Sequence, residues 1–564
     1  MLYVQLYVSL WRFLRLKIQF ALRTSKYRFQ ILASLMFVSQ FAFGQSDGGS
    51  NYLLISLIGL GIVLLVMAVL SLADNLIQIE ATKAGVDTKT TNLGIFPSYT
   101  SFLNKKAPIY AKGSGFHRFS KGFDIKLVGA PESTDIENIA ASRYAIKPTD
   151  FLGMSPIPKV VVAEGDEVKA GDPLFFDKKR PEIIYVAPVS GEVVEINRGA
   201  KRAITEIVIL ADKENNYKQI TAPSLDAERG ELVNFLCENG AWALFNQRPF
   251  DMVPARDVVP ANIFISTFDT APLAVDQAIV VAGKEAHFQK GLDVLAKLTS
   301  GSVYLGLDGR GSEPVAAFAN CTGIVKNYFA GKHPVGNVGV QIHHTAPIKG
   351  EEVVWTLGVQ EVITLGTVFA EGKYDASRVV TIGGVQIAQP KIVRTYQGAN
   401  IAELLGENGL NEGDTRLIVG DVLTGKTAET SDYLSFGSDQ ITAIKEGKYH
   451  ELFGWLLPLK PRPTISGTYP NFLFPDFKFE GDTNTHGEKR AFVVSGQYES
   501  VLPMDIYPTH LMKAIMTGDI ERMEGLGINE LSEEDIALCE FVCTSKMPLQ
   551  QLLREGLNMM REQA

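Results

Sequence analysis

Cysteine is nearly absent from this chain: 564 residues carry four, Cys237, Cys321, Cys539 and Cys543. Four scattered thiols cannot staple a disulfide framework, so the folded part is expected to keep reduced thiols in a cytoplasmic compartment. Dense basic clusters are also missing after residue 73, and the net charge is -9. A surface of that sign cannot track a phosphate backbone, which excludes nucleic acid as a partner. Histidine is sparse, with eight in all. Three of them fall in His333-Pro-Val-Gly-Asn-Val-Gly-Val-Gln-Ile-His343-His344, a loop and strand by its pattern. Neither a carboxylate nor a cysteine stands there at a spacing that would complete a metal site, and successive strand residues point to opposite faces. The one long apolar run, Tyr52 to Ala73, lacks any ionisable residue, so it can anchor but offers no ion pathway.

What is present organises itself around Ile157 to Asp212. Short β-branched runs (Val160 to Val162, Ile183 to Val186, Val193 to Ile196, Ile204 to Leu210) alternate with tight-turn residues at Gly165-Asp166, Gly171-Asp172-Pro173, Pro188 and Ser190-Gly191. The order G-D-x-V-x-x-G-x-P-L, a charged link, then A-P-x-S-G-x-V resembles the biotinyl/lipoyl carrier fold, the barrel-sandwich hybrid. In a true carrier the link presents a lysine for the cofactor. Counting back from Ala187-Pro188 places Arg180 there, which cannot form the amide, with Lys178 and Lys179 beside it. The unit is therefore read as a structural use of the fold with no covalent cofactor, modification at Lys178 or Lys179 being the alternative.

Length predicts several domains. The first 28 residues carry six basic side chains and no acid, and an apolar run from Phe29 to Gly44 ends in Ala-Phe-Gly-Gln. That reads as a secretory signal cut after Gly44, as an uncleaved membrane segment, or as sequence upstream of the true start. Tyr52 to Ala73 is long enough to cross a bilayer as a helix. The lysines after it (Lys83, Lys89, Lys105, Lys106, Lys112) place residues 74–564 in the cytoplasm, anchored to the inner membrane by 52–73. Gly59-Leu60-Gly61 within the run is a helix-packing spot and not a nucleotide loop. Residues 74–116 read as a linker.

Beyond the barrel, 227–244 has helical spacing; strand 262–267, helix 285–298 and strand 302–307 then give a β-helix-β order. Gly306, Gly309 and Gly311 follow that second strand in the reverse of the dinucleotide spacing, so they read as a plain loop. Residues 379–458 alternate strands with one short helix, as in a β-grasp module of the soluble-ligand-binding type. Helices are expected at 509–516, 520–526, 533–542 and 549–560, with Cys539 and Cys543 on one helix face, two thiolates where an iron–sulfur cluster needs four. The fold class is thus multi-domain α+β: an N-terminal transmembrane helix, a barrel-sandwich hybrid, a Rossmann-like α/β domain, a β-grasp module and a C-terminal helical domain. The boundaries expected are 1–44, 45–116, 117–225, 226–375, 376–460 and 461–564.

That order resembles the A-subunit family of the sodium-translocating NADH:quinone reductases and, more distantly, the C subunit of the Rnf complex and the flavin-binding component of respiratory complex I. The motifs that carry it are K-G-F-D-I at 121, F-x-D-K-K-R-P at 175, N-R-G-A-K-R at 197, D-T-A-P-L-A at 269, H-P-x-G-x-x-G at 333, L-F-G-W at 452, Y-E-S-V-L-P-M-D-I-Y-P-T at 498 and E-E-D-I-A-L-C-E-F-V-C at 533. The chain departs from the flavin-carrying relatives at Thr267 to Pro272, where they have a glycine-rich loop. It departs from its own family's pattern at Thr544, where proline is usual, and in the apolar N-terminal segments.

The resemblance implies a complex that oxidises NADH, reduces ubiquinone or menaquinone and exports Na+. Flavins and an iron–sulfur centre would sit in the B-to-F partner subunits, with the membrane-embedded B component the chief contact. This chain is expected to be a cofactor-poor scaffold with little or no catalysis of its own and a share in the quinone site. A quinone pocket is apolar and aromatic with one or two polar groups on the carbonyls, and His333, His343 and Trp355 are the residues expected to provide it. The alternative is a membrane-tethered module that captures a ligand or partner and has no redox role.

Overall fold

The computed structural model describes residues 58–63, 65–66, 107–454, 461–467 and 469–563. The chain divides into two units, 1–106 and 107–564. Of the first, the described residues 58–63 and 65–66 are helical. The signal-like segment, residues 74–106 of the linker and most of the expected membrane run lie outside the described residues, whereas 107–116, expected as linker, is folded: Ile109–Ala111 forms a helical turn that buries Ala111, and Gly115 begins a strand. Among those described, no helix is long and apolar enough to cross a membrane.

Within 107–564, two small sheets form the barrel-sandwich hybrid. One runs in the order Arg143–Ile146, Ile204–Ala211, Gly191–Arg198, Glu167–Val168; the other is Lys159–Val160, Pro173–Asp177, Arg180–Val186. All their pairings are antiparallel, as short turn-linked strands require. Alternation places Leu174, Ile183, Tyr185, Val193, Ile207 and Ile209 inside. At Gly191, φ is +151° and an added Cβ would strike the Leu210 carbonyl, so the Ser-Gly turn admits no side chain.

The α/β domain is a six-stranded sheet in the order Gly115–Arg118, Val325–Ala330, Val303–Asp308, Asn262–Ser266, Val354–Leu357, Asn246–Arg248. Its pairs are parallel except the last. The expected helix at 285–298 is present as Glu285–Leu298, with Phe288, Leu292, Leu295 and Leu298 buried. It crosses Val359–Glu371 so closely that an added Cβ on Gly291 would meet the Val362 carbonyl, and one on Gly366 the His287 carbonyl.

The β-grasp sheet runs Lys426–Ala428, Thr415–Val419, Gln440–Lys445, Ser377–Gly383, Lys391–Tyr396, Ile136–Asn138, with a parallel pair, Ser377–Gly383 and Gln440–Lys445, at its centre. Two strands near the start of the region expected for the barrel, 117–225, serve other sheets: Gly115–Arg118, which straddles the expected boundary with the linker, edges the α/β sheet, and Ile136–Asn138 edges the β-grasp sheet. The C-terminal helices are Pro508–Thr517, Ile520–Gly525, Glu533–Val542 and Leu549–Gln563. They bury Leu511, Met512, Ile536, Leu538, Leu553 and Leu557 in a second core that also takes in Ile125, Leu127, Val340 and Phe479.

Candidate functional site

Several of the sequence motifs meet at one place. The backbone N–H of Phe123 donates to the His333 carbonyl at 2.9 Å, and the Asp124 Oδ1 accepts from the His333 N–H at 2.9 Å. Gly122, at φ +112°, lies where a Cβ would come within 2.5 Å of that same carbonyl. K-G-F-D-I is therefore a clamp on the His333 loop. The glycines of H-P-x-G-x-x-G are likewise points of close approach: Gly336 abuts the Thr270 amide, and Gly339 leaves room for the Asp535 carboxylate. The Asn337 side chain donates to the Glu534 carbonyl at 2.9 Å.

Arg248 joins this junction from the sheet edge. It is 2 % exposed, and its guanidinium binds Asp535 Oδ2 at 2.7 Å and Glu534 Oε1 at 2.6 Å. Asp535 also accepts from the Ser532 N–H at 3.0 Å, closing a capping box on the helix Glu533–Val542. Beside it Arg554 pairs with Glu533 and donates to the Phe250 carbonyl at 2.8 Å. The Arg248–Asp535 pair, with both side chains buried, holds its position because either charge left alone would be costly, whereas Glu534 is 41% exposed.

These contacts enclose a cleft where the barrel, the α/β domain, the β-grasp module and the C-terminal helices meet. One arm, about 510 Å³, sets Phe151, Phe268, Phe436, Leu357 and Val359 beside Arg248, Arg378, Asp251 and Glu361, shares Asp150, Asp269, Asp439 and Glu534 with the second arm, and reaches Gln277, whose side-chain Oε1 is buried with no partner among the described residues. The other, about 380 Å³, is polar: Asp150, Asp269, Asp421, Asp439 and Glu534 line it, with Lys426 as its lysine. Burial pushes the carboxyls of Asp150 and Asp269 upward. Asp439 is pushed up to about 6, by burial first and by the neighbouring Asp269 and Glu361, against the pull of Arg378.

His333 lines the polar arm and is 4 % exposed. Its Nδ1 lies 3.1 Å from the Thr270 hydroxyl, which itself accepts from the Gly336 N–H at 3.1 Å. Burial holds the imidazole below its ordinary range, against Asp269, Asp421 and Asp124. Its Nε2 has no hydrogen-bond partner among the described residues.

The three residues expected to face quinone do not come together. His343 lies on a helix, Val338–Thr345, and not on the expected strand. The β-branched residues there suggest a strand, but the helix buries Val340 and Ile342 while Gly339 meets Asp535. His343 Nδ1 pairs with Glu530 at 2.6 Å, its Nε2 accepts from the Asp505 N–H at 3.1 Å, and His344 Nε2 lies 2.6 Å from the Pro503 carbonyl. Trp355 is fully buried against Trp242 and Phe245, ring centroids 5.2 Å away in each case. His333 alone of the three borders the cleft.

The carrier-like hairpin is also shifted from the register counted along the sequence. Asp177 pairs with Arg180, so Lys178 and Lys179 form the two-residue tip and are exposed. Arg180 opens the return strand and donates to the Val253 carbonyl at 2.7 Å. The glycine turn after Val303–Asp308 is occupied by this chain's own groups. Gly306 packs on the Gln341 side chain, Gly309 on the Phe116 ring, and the Gly311 carbonyl accepts from the Tyr110 hydroxyl at 3.0 Å. Cys539 and Cys543 are buried, with the Tyr498 hydroxyl 2.8 Å from the Cys543 Sγ. Arg248, Asp439 and Asp150 are not legible as site residues: nothing in their local sequence distinguishes them from surface charges.

Three family models match the chain: the NqrA N-terminal barrel-sandwich hybrid domain at residues 118–212, the NqrA second alpha/beta domain at 227–374 and the NQRA C-terminal domain at 379–430. Among curated proteins, the A subunit of the Na(+)-translocating NADH-quinone reductase of Alcanivorax borkumensis is 39% identical over 448 residues, 78% of this chain and 98% of that one. Its counterpart of the same name from Shewanella frigidimarina is 38% identical over 442 residues, again 78% and 98%. A chain of the NAD+-reducing [NiFe]-hydrogenase in its air-oxidized state aligns over 54% of this chain and 55% of its own at 10% identity and a TM-score of 0.28.

Proposed function

The chain belongs to the A-subunit family of the Na+-translocating NADH-quinone reductases, and from that premise we propose that it serves its complex as a scaffold that carries part of the quinone site. The complex oxidises NADH, reduces a quinone and exports Na+; the flavins and the iron–sulfur centre sit in partner subunits, with the B component as the membrane contact. Residues 52–73 tether the chain to the inner membrane in this reading. The observation that carries the scaffold role is the turn Thr267 to Pro272 after the strand Asn262–Ser266, the position at which an α/β domain would otherwise receive a dinucleotide or flavin phosphate. It contains no glycine, and the Asp269 carboxylate occupies the Ala271 N–H there at 2.7 Å.

The quinone share belongs in the aromatic arm of the cleft. Phe151, Phe268 and Phe436 border it, and the Gln277 amide, whose Oε1 has no partner among the described residues, can donate to a carbonyl once rotated by a half-turn. Trp355, sealed in the core, and His343, committed to Glu530, take no part in that pocket.

The test is purification of the tagged chain in mild detergent, followed by photolabelling with an azidoquinone and peptide mapping. Co-purification of flavin-bearing membrane subunits, with label on peptides containing Phe151, Phe268 or Phe436, is the expected result. A chain that comes down alone removes the scaffold reading and favours the tethered binding module. Label confined to partner subunits removes the quinone share.

A further inference from the structure

Two motifs of the sequence take no part in the cleft, F-x-D-K-K-R-P at 175 and N-R-G-A-K-R at 197, and the barrel brings them to one end. Each supplies a hairpin tip. Lys178 and Lys179 form the first, between Asp177 and Arg180. The second joins Gly191–Arg198 to Ile204–Ala211 and turns through Lys201 and Arg202, at φ +54° and +63°. Two left-handed residues in succession, neither of them glycine, are costly backbone, and here they make an exposed tip. A single segment links the two hairpins. The Ser155 N–H donates to Asp177 Oδ2 at 3.3 Å, and the carbonyl of the next residue, Pro156, accepts from the Ile204 N–H at 3.2 Å. Lys159, on the same segment, pairs with Phe176 of the first hairpin.

Six cations therefore share this end: Lys159, Lys178, Lys179, Arg198, Lys201 and Arg202, all exposed. Among the described residues none of the six is in an ion pair. Acids on the same hairpins are engaged elsewhere: Asp177 accepts from the Ser155 and Lys179 amides, Glu195 pairs with Arg143, and Glu206 accepts from the Asn197 side chain at 2.8 Å. Glu164 accepts from the Ile196 N–H at 3.1 Å. The result is a positive surface on a chain of net charge -9, assembled by folding from three segments of which none is a dense basic run. Leu152, Ile157 and Val161 stand exposed on the linking segment.

This composition suits lipid better than protein. Protein interfaces are depleted in lysine and centre on aromatic or arginine anchors seated in pockets. Here lysine predominates, and no aromatic side chain among these residues is exposed. Basic side chains interspersed with single aliphatic ones are what an anionic headgroup layer binds, through summed charge and shallow apolar insertion. We propose that this end of the barrel rests on the anionic phospholipid headgroups of the membrane with which the reductase is associated. The inference draws on membership of that complex and not on the quinone share or on a tether at 52–73.

The test is lysine footprinting of the full-length chain on phosphatidylcholine vesicles, with and without about one-third phosphatidylglycerol, using a water-soluble acetylating ester and peptide mass spectrometry. On anionic vesicles, acetylation of Lys178, Lys179 and Lys201 should slow by at least about fivefold relative to neutral ones, and about 0.5 M NaCl should restore it. Lys297, exposed on the helix Glu285–Leu298, is the control and should change by less than about twofold. In the pair Lys178→Glu with Lys179→Glu, Lys201 should lose most of its protection. Equal rates on the two kinds of vesicle overturn the proposal, and so does slowing that Lys297 shares or that salt leaves unchanged. Protection that appears only in the assembled complex, and as strongly in neutral lipid, assigns the surface to a partner protein and overturns it as well. If the charge-reversed pair does not fold, as judged by its circular dichroism, the lipid and salt dependence of the natural chain decides alone. Flotation with neutral vesicles reads the tether separately, so either reading can fail without the other.

Discussion

The barrel-sandwich unit and the acidic cleft are built in opposite ways. The barrel comes from a single stretch in which its longest pairings, Pro173–Asp177 with Arg180–Val186 and Gly191–Arg198 with Ile204–Ala211, join strands that follow one another, with Arg143–Ile146 closing on Ile204–Ala211 from further away. The cleft is assembled from Asp150, His333, Asp439 and Glu534, which share no local pattern and meet only after four parts of the chain have docked. A locally encoded unit loses stability in itself when damaged. A cleft held by long-range ion pairs should lose the relation between its parts.

Arg248→Ala should have the largest effect, about 3–5 kcal/mol, because it strands Asp535 and Glu534 without their cation. Hydrogen exchange should then rise first in the helices 508–563, with the barrel strands still protected. Exchange rising uniformly would mean that the cleft is not a separate cooperative junction. Leu174→Ala, at the centre of the barrel, should cost about 2–5 kcal/mol in denaturant unfolding. Its exchange should rise locally in 143–211 and spare the helices.

Gly366→Ala should cost about 1–3 kcal/mol, since the added methyl meets the His287 carbonyl and the two helices must part. The equivalent change at Gly311, whose Cβ would enter open space, is the control. Thiol chemistry sharpens the contrast further. Burial pushes Cys237 up to about 12 and Cys321 up to about 11, and raises Cys539 as well. Iodoacetamide at pH 8 should therefore leave these three unmodified in the native chain and alkylate them on unfolding. Fast native labelling of Cys539 would show that the C-terminal helices open on their own. The smallest effect is expected at the hairpin tip: Lys178→Ala and Lys179→Ala should each change stability by less than about 0.5 kcal/mol. Intact mass spectrometry of the native chain tests the carrier alternative directly, since a mass gain of one cofactor lost in those variants would establish it.

Short-range patterns in this chain translate directly into structure. Helix 285–298 and helix 533–542 stand at the residues their spacing indicates, because a 3.6-residue apolar period needs a single partner surface to become a helix. The strand expected at His343 is absent for the complementary reason. A short segment rich in β-branched residues has no strong local preference, and the close approach of Asp535 at Gly339 decides in favour of helix. The expected quinone-facing set is dispersed on similar grounds. The helix Val338–Thr345 and the strand Val354–Leu357 do meet, through Ile342 and Val354, but Trp355 leaves the other face of the strand toward Trp242 and Phe245 while His343 turns to Glu530.

Several properties were determined by the amino-acid sequence alone: the barrel, the order of the modules, the family, and the low thiol content. Each follows from periodicity, turn chemistry or long motifs, which act between residues a few positions apart. Which charged side chains become a site was decided only by the tertiary structure. Burial and mutual repulsion change what a carboxylate or an imidazole does, and neither exists until Asp269, Asp439 and His333 share one chamber.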